Sequence, residues 1–405
     1  MESVLHIGMH KTGSSAIQAG LSEYDDGETF YAPLGRPNQS AALVTAVSAG
    51  YRDYHVWRKA GLTAAEIDTR RDQARADIAA ALARRDRRRA IFSGEDVSSL
   101  PRAEFAALVA WLAEAGPVTL LVYLRDPADY AASALQQIIQ GGARHLPRRV
   151  TQRMRGVLTA AKATGARLIV RDYRPDSFPQ ADVVADVCAL LDLDRARCGT
   201  ERPNTRMSAT ALRLLWQFNC GNPAFQGDPK LLRAHERLKH ILRETFANAA
   251  PIPLEPFAGL ADYDDIGWLR DTHGITYRDR SAGATAEDAR RWLDEVPEDA
   301  TKALAEVLAR HDLRAPDGAD PVWMLNRIYY LCLSEDHYDP KTRTLRTPRL
   351  GIDDLPALRS AALSHNEARP LDRGEARHLL DLALRIRPNG PVLLRTRAAW
   401  DRDKG

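Results

Sequence analysis

Apolar residues in this chain fall into two periods. Val4-Leu5-His6-Ile7, Arg89-Ala90-Ile91-Phe92-Ser93, Pro117 through Leu124 and Arg167-Leu168-Ile169-Val170-Arg171 are short, nearly continuous apolar runs. That is the pattern of strands covered on both faces. Between them lie segments with helical start and stop signals. Thr63-Ala64-Ala65-Glu66 is a capping box opening an Ala/Arg-rich helix to about Arg85, and Asp126-Pro127 opens another that ends at Gly141-Gly142. Further helices are expected over 101–115, 150–163 and 181–191. Four strands alternating with helices predict an α/β fold, a three-layer sandwich with a central parallel sheet flanked by helices. Residues 24–62 read as a long irregular stretch rich in aromatics. Past residue 205 the strand pattern stops and the chain reads as helical, with a Pro-rich connector over 250–282. The expected division is a core over 1–215, a mostly helical continuation over 216–345 and a helical tail over 346–405. Within that tail, Ala376 to Pro391 is expected to form a helical hairpin packed on the preceding domain, since a single tetratricopeptide-like unit could not bury its own face.

Composition narrows the class. The 405 residues are 44% hydrophobic and 27% charged, enough for a large core, and the net charge of +3 offers no global polycation for nucleic acid. The four cysteines, Cys188, Cys198, Cys220 and Cys332, lack metal-ligand spacing and are expected to be reduced thiols. No apolar run reaches the length of a spanning helix, and Met1-Glu2-Ser3 leads directly into the first strand. The expectation is a cytoplasmic protein without membrane insertion.

The candidate chemistry begins at the first strand. Ile7-Gly8-Met9-His10-Lys11-Thr12-Gly13-Ser14-Ser15 is a strand running through a glycine-bounded turn into a helix. Backbone N–H groups and the helix dipole converge there as an anion cradle. The Gly8-x4-Gly13 spacing is that of a P-loop, but Ser14 stands where that motif has Lys, and the cation lies inside the loop at Lys11. In parallel α/β sheets ligands bind at the carboxyl ends of the strands. Lys11, Glu95, Arg125 and Arg171 occupy those ends here, which suits transfer of an anionic group.

Two stretches, Ile7 through Ser15 and Tyr123-Leu124-Arg125-Asp126-Pro127-x5-Ser133, together resemble the nucleotide-binding signatures of sulfotransferases that use 3′-phosphoadenosine 5′-phosphosulfate. The resemblance spans roughly residues 1–215 and implies a P-loop-type fold. It implies that Lys11, Thr12, Gly13, Ser14 and Ser15 hold the 5′-phosphosulfate, while Arg125 and Ser133 hold the 3′-phosphate. Asn204 to Ser208 loosely resembles the segment that closes over the nucleotide. The implied reaction moves a sulfuryl group to a hydroxyl of a carbohydrate or glycoconjugate, requires no metal and releases adenosine 3′,5′-bisphosphate. Lys11 would stabilise the bridging oxygen, and Glu95 would act as general base, with His10 as its rival. Glu95 or Asp96 could instead simply cap the following helix. The aromatics of 24–62 would offer stacking surfaces to sugar rings, with Arg52, Arg58 or Lys59 meeting an acidic acceptor, whereas His6 reads as a core histidine. Two other readings remain: an inactive nucleotide-binding or partner-binding protein of the same fold, and a P-loop kinase. The absence of Lys at position 14 argues against the kinase.

Overall fold

The computed structural model describes all residues except 201–206, 223–228, 297, 311–314, 316–317, 334–337, 340–343, 346–349, 368–372 and 403–405. The chain divides into two compact units, each assembled from separate segments. The first comprises Met1–Ala134, Arg149–Thr205 and Phe257–Ala284; the second comprises Leu135–Arg148, Arg206–Pro256 and Thr285–Gly405. This replaces the expected division into three consecutive segments. The stretch after residue 350 shares one core with helices from 209 onward, and part of the Pro-rich connector belongs to the first unit.

The first unit is built on a five-stranded parallel sheet: β1 (Glu2–Ile7), β2 (Thr29–Tyr31), β3 (Arg89–Gly94), β4 (Val118–Leu124) and β5 (Arg167–Asp172), in the spatial order β2-β3-β1-β4-β5. β1 pairs with β3 on one side (His6 opposite Ser93) and with β4 on the other (Ile7 opposite Val122), so the strand order reverses at β1. The two-residue period sorts the core. Leu5, Ile7, Phe92, Leu120 and Val122 face one layer, with Ile78 of α4 (Ala64–Ala83), Leu108 and Leu112 of α5 (Arg102–Ala113) and Leu158 of α7 (Met154–Ala163). Val4, Ile91, Leu121 and Tyr123 face the other, against Ile17 and Leu21 of α1 (Ser14–Leu21) and Val184 and Val187 of α8 (Val183–Leu191). α5 buries Phe105, Leu108, Val109 and Leu112, an i, i+3, i+4, i+7 stripe in which each large side chain contributes roughly 1.5–3 kcal/mol.

The sequence signals at helix starts hold. Thr63 and Glu66 form the reciprocal capping box of α4, and Asp126 accepts from the N–H of Ala128 at 2.9 Å at the head of α6 (Pro127–Gln140). Residues 24–62 differ from the expectation. They form β2, α2 (Ser40–Val47), a 3-10 turn and α3 (His55–Ala60), and Tyr24, Phe30 and Tyr31 are buried in the core. These three rings therefore offer no exposed stacking surface. Arg52 is committed to Asp68 by bonds of 2.9 and 2.7 Å.

The second unit is helical, with the core of α9 (Ala209–Gly221) and α10 (Pro229–Thr245) continuing through α14 (Pro321–Leu331), α15 (Leu355–Glu367) and α16 (Arg373–Ile386). Leu215, Phe218, Leu238, Tyr329, Leu358 and Leu380 are fully or nearly fully buried in it. Several of its buried polar groups are paired: His235 Nε2 lies 3.0 Å from Asn219 Oδ1, and Arg327 donates to Glu375 at 2.7 Å. Ser208 caps α9 by accepting from the N–H of Ala211. Asn204, its partner in the expected closing segment, lies outside the described residues.

Candidate functional site

The turn after β1 is held by its own polar groups. The hydroxyl of Thr12 donates to the Met9 carbonyl at 2.6 Å, the hydroxyl of Ser14 donates to the same oxygen at 3.1 Å, and both side chains are buried. Thr12 and Ser14 thus shape the loop, while Ser15 is exposed at the first turn of α1. Gly13 is the N-cap of α1, with φ of 77°, no side-chain cap and no acidic residue in the first turn. The opening N–H groups of a helix have no intrahelical acceptors, so this end remains suited to an anion. A Cβ on Gly13 would lie 2.7 Å from the ring of Tyr173. Lys11 has a φ of 68°, a left-handed conformation that is strained for a side-chain-bearing residue.

Glu95 follows β3 and meets this loop. A Cβ on Gly8 would lie 2.9 Å from Glu95 Cγ and 2.9 Å from Ser14 Oγ, so glycine at position 8 permits the approach. Glu95 occupies the N-cap position of the 3-10 turn Asp96–Ser99, yet its side chain makes no capping bond. Its Oε2 instead lies 3.3 Å from Nδ1 of His10. The His10 side chain is 47% exposed and that of Glu95 20%. The hydrogen bond to Glu95 raises the His10 pKa above its usual value, against the opposing effect of burial. Asp96 is engaged elsewhere, as an acceptor for the hydroxyl of Tyr54. The two candidate bases are therefore one hydrogen-bonded pair, with the carboxylate as the less exposed member.

Arg125, at the end of β4, has only 2% of its surface exposed. Its Nη1 donates to the Lys11 carbonyl at 2.6 Å, and its Nε and Nη2 grip Asp129 at 2.5 and 2.7 Å. Its guanidinium carbon lies 5.4 Å from the centre of the Tyr173 ring. In this arrangement Arg125 braces the loop, and its fork is filled by a carboxylate in the manner of a bidentate oxyanion. Ser133, four residues beyond Asp129, lies one turn further along the same face of α6. Gln152 Oε1 accepts from the Arg125 N–H at 3.4 Å, while its buried Nε2 has no hydrogen-bond partner. An amide donor without an acceptor beside Arg125 fits an anion bound there.

Arg171 does not join this group. It pairs with Asp186 of α8 at 2.6 Å, and Asp186 also accepts from the Tyr123 hydroxyl at 2.6 Å. His6 is 1% exposed, with Nδ1 bonded to the Ser93 hydroxyl at 2.8 Å and Nε2 buried without a partner. Desolvation lowers its pKa to about 4. Sequence reasoning missed Tyr173, Asp129 and Gln152. The i, i+4 offset of Asp129 from Arg125 was the one signal available, whereas Tyr173 and Gln152 reach the site only through tertiary folding.

Among the described residues no group of three or more His, Cys, Asp or Glu side chains is arranged to hold a metal ion, and no helix is long and apolar enough to cross a membrane. The chain thus presents a glycine-bounded loop carrying Lys11, a His10–Glu95 pair against it and a braced arginine behind it, and it matches no protein-family model, curated protein or solved structure.

Proposed function

We propose that the first unit is a sulfotransferase that takes its sulfuryl group from 3′-phosphoadenosine 5′-phosphosulfate and delivers it to an acceptor hydroxyl of a carbohydrate or glycoconjugate. The observation that carries this reading is the contact of the Glu95 carboxylate with the loop that bears Lys11, made close by Gly8 and oriented by His10. A base and a cation at the same strand ends are what transfer between an anionic donor and an alcohol requires. Lys11, Ser15 and the backbone N–H groups of Gly13 and Ser14 would hold the 5′ end, with Arg125, Ser133 and the unpartnered Gln152 amide at the 3′ end. For Arg125 to meet a phosphate, Asp129 must release its two bonds.

The nucleotide supplies the sulfuryl group: the acceptor oxygen bonds to sulfur as the bond from sulfur to the 5′-phosphate oxygen breaks, yielding a sulfate ester and adenosine 3′,5′-bisphosphate. Glu95 takes the hydroxyl proton as the oxygen attacks. His10 holds Glu95 in place through the contact of its Nδ1 with the carboxylate. Lys11 stabilises negative charge on the departing oxygen.

Calorimetry tests the reading. Adenosine 3′,5′-bisphosphate is expected to bind at least tenfold more tightly than ATP with Mg²⁺, because ATP lacks the 3′-phosphate. Equal or tighter binding of ATP would transfer the assignment to a kinase, and tight bisphosphate binding without turnover on any acceptor would make the chain a nucleotide-binding protein.

A further inference from the structure

A cleft of about 580 Å³ opens between the 3-10 turn Asp96–Ser99, which follows Glu95 in the chain, and α5 on one side and the start of α7 on the other. Its size suits a ligand site. Arg102 at the start of α5, and Arg153 and Arg155 at the start of α7, line it and are exposed. Among the described residues none of these three guanidiniums has a carboxylate within ion-pair distance. The one acid in the lining, Asp265, accepts from the backbone N–H of Arg155 at 3.3 Å. Three cations and one carboxylate leave the cleft with two uncompensated positive charges. Several other arginines of the same unit are matched with acids: Arg52 with Asp68, Arg171 with Asp186 and Arg195 with Asp182.

The remaining lining sets the class of ligand. Val97, Phe105 and Val157 are buried and form a floor, so no aromatic wall is exposed for a flat hydrophobic acceptor. The exposed polar side chains are the three guanidiniums and the hydroxyl of Thr159, beside the partly exposed Leu100 and Ala160, and the hydroxyl of Ser98 donates to the backbone carbonyl of Glu95 at 2.7 Å. Guanidinium forks recognise carboxylates and sulfates bidentately. We infer that this cleft is the acceptor site and that the acceptor is an anionic saccharide, with its carboxylates or sulfates on Arg102, Arg153 and Arg155 and a free hydroxyl directed to Glu95. This inference rests on the sulfotransferase reading. It replaces Arg52, Arg58 and Lys59 with Arg102, Arg153 and Arg155 as the cations expected to meet an acidic acceptor.

The test measures binding of four probes to the full chain saturated with adenosine 3′,5′-bisphosphate: a neutral hexasaccharide, one containing glucuronate, one bearing O-sulfates, and an acidic peptide of similar charge. At least one anionic saccharide is expected to bind tenfold or more tightly than the neutral one, and which of the two does so identifies the anion. Arg102→Ala, Arg153→Ala and Arg155→Ala should each cost about two- to fivefold. The triple variant should lose the preference while retaining its melting temperature and bisphosphate affinity. A preference that survives the triple substitution, equal binding of neutral and anionic saccharides, or tighter binding of the peptide overturns the inference. Bisphosphate affinity, read separately on the same samples, shows whether the nucleotide assignment fails instead.

Discussion

Replacing Glu95 by Gln removes one charge while keeping side-chain size, and the surroundings of Glu95 fix what each role predicts. Its side chain makes no bond to the turn it precedes, so no capping energy is lost. Its bond to His10 joins it to a side chain that is 47% exposed, and such pairs contribute about 0.2–1 kcal/mol after solvent screening. For a protein of this size that corresponds to at most about 4 °C in melting temperature. A general base is worth about 10²–10⁴ in rate, or about 3–5 kcal/mol of barrier. The two roles thus differ by several kcal/mol in one variant. The expected result is a fall in sulfuryl transfer of at least a hundredfold, measured with labelled donor in single turnover, with bisphosphate affinity nearly unchanged and melting within a few degrees of the parent. His10→Gln should lose less, because it removes an orienting partner rather than the proton acceptor. If Glu95→Gln stays within about fivefold of the parent rate, Glu95 is not the base, and the role passes to His10.

Other outcomes follow from the same geometry. Arg125→Ala should weaken adenosine 3′,5′-bisphosphate at least tenfold, while Asp129→Asn, which loosens the carboxylate in the Arg125 fork, should strengthen it; a loss in both would leave Arg125 as a loop brace only. His6 is held neutral with its pKa lowered to about 4, whereas the unfolded chain takes up that proton near pH 6.5. Its contribution is complete above about pH 6.5 and falls by about 3 kcal/mol toward pH 4, so the denaturation midpoint should drop with acid more steeply in the parent than in His6→Asn; equal slopes would refute this. Cys188 and Cys198 are buried with their sulfurs 3.4 Å apart. Glutathione disulfide should oxidise them to an internal disulfide with release of two glutathione thiols, detected as two residues protected from alkylation after denaturation. Mixed disulfides at both positions would contradict it.

Much of the first unit was legible because local signals agreed with the fold. The apolar runs became β1, β3, β4 and β5, and the Thr63 and Asp126 caps opened the helices they mark. β2 was not legible, since three residues, Thr29-Phe30-Tyr31, are too few to show a period, and its place at the sheet edge depends on pairing with β3. The site was half visible. Strand ends located Lys11, Glu95 and Arg125, but alternation along β5 turns Arg171 toward α8, and the i, i+4 offset of Asp129 from Arg125 hints at a pair without revealing that the carboxylate fills the whole guanidinium fork.

The discontinuity of the first unit bears on how the chain is made. All five strands lie before residue 173, yet α11 (Ile266–His273) brings Leu269, fully buried, into the core under the sheet, and Tyr277 joins it with its hydroxyl 2.9 Å from Asp172. A nascent chain that has produced every strand still lacks this closing piece for about a hundred residues. At ordinary ribosomal rates that is roughly 5–20 s with an incomplete core. Translation speed and chaperone capture between residues 173 and 284 should therefore govern yield, and a fragment ending near 215 should emerge sticky and protease-sensitive even though it contains the whole sheet.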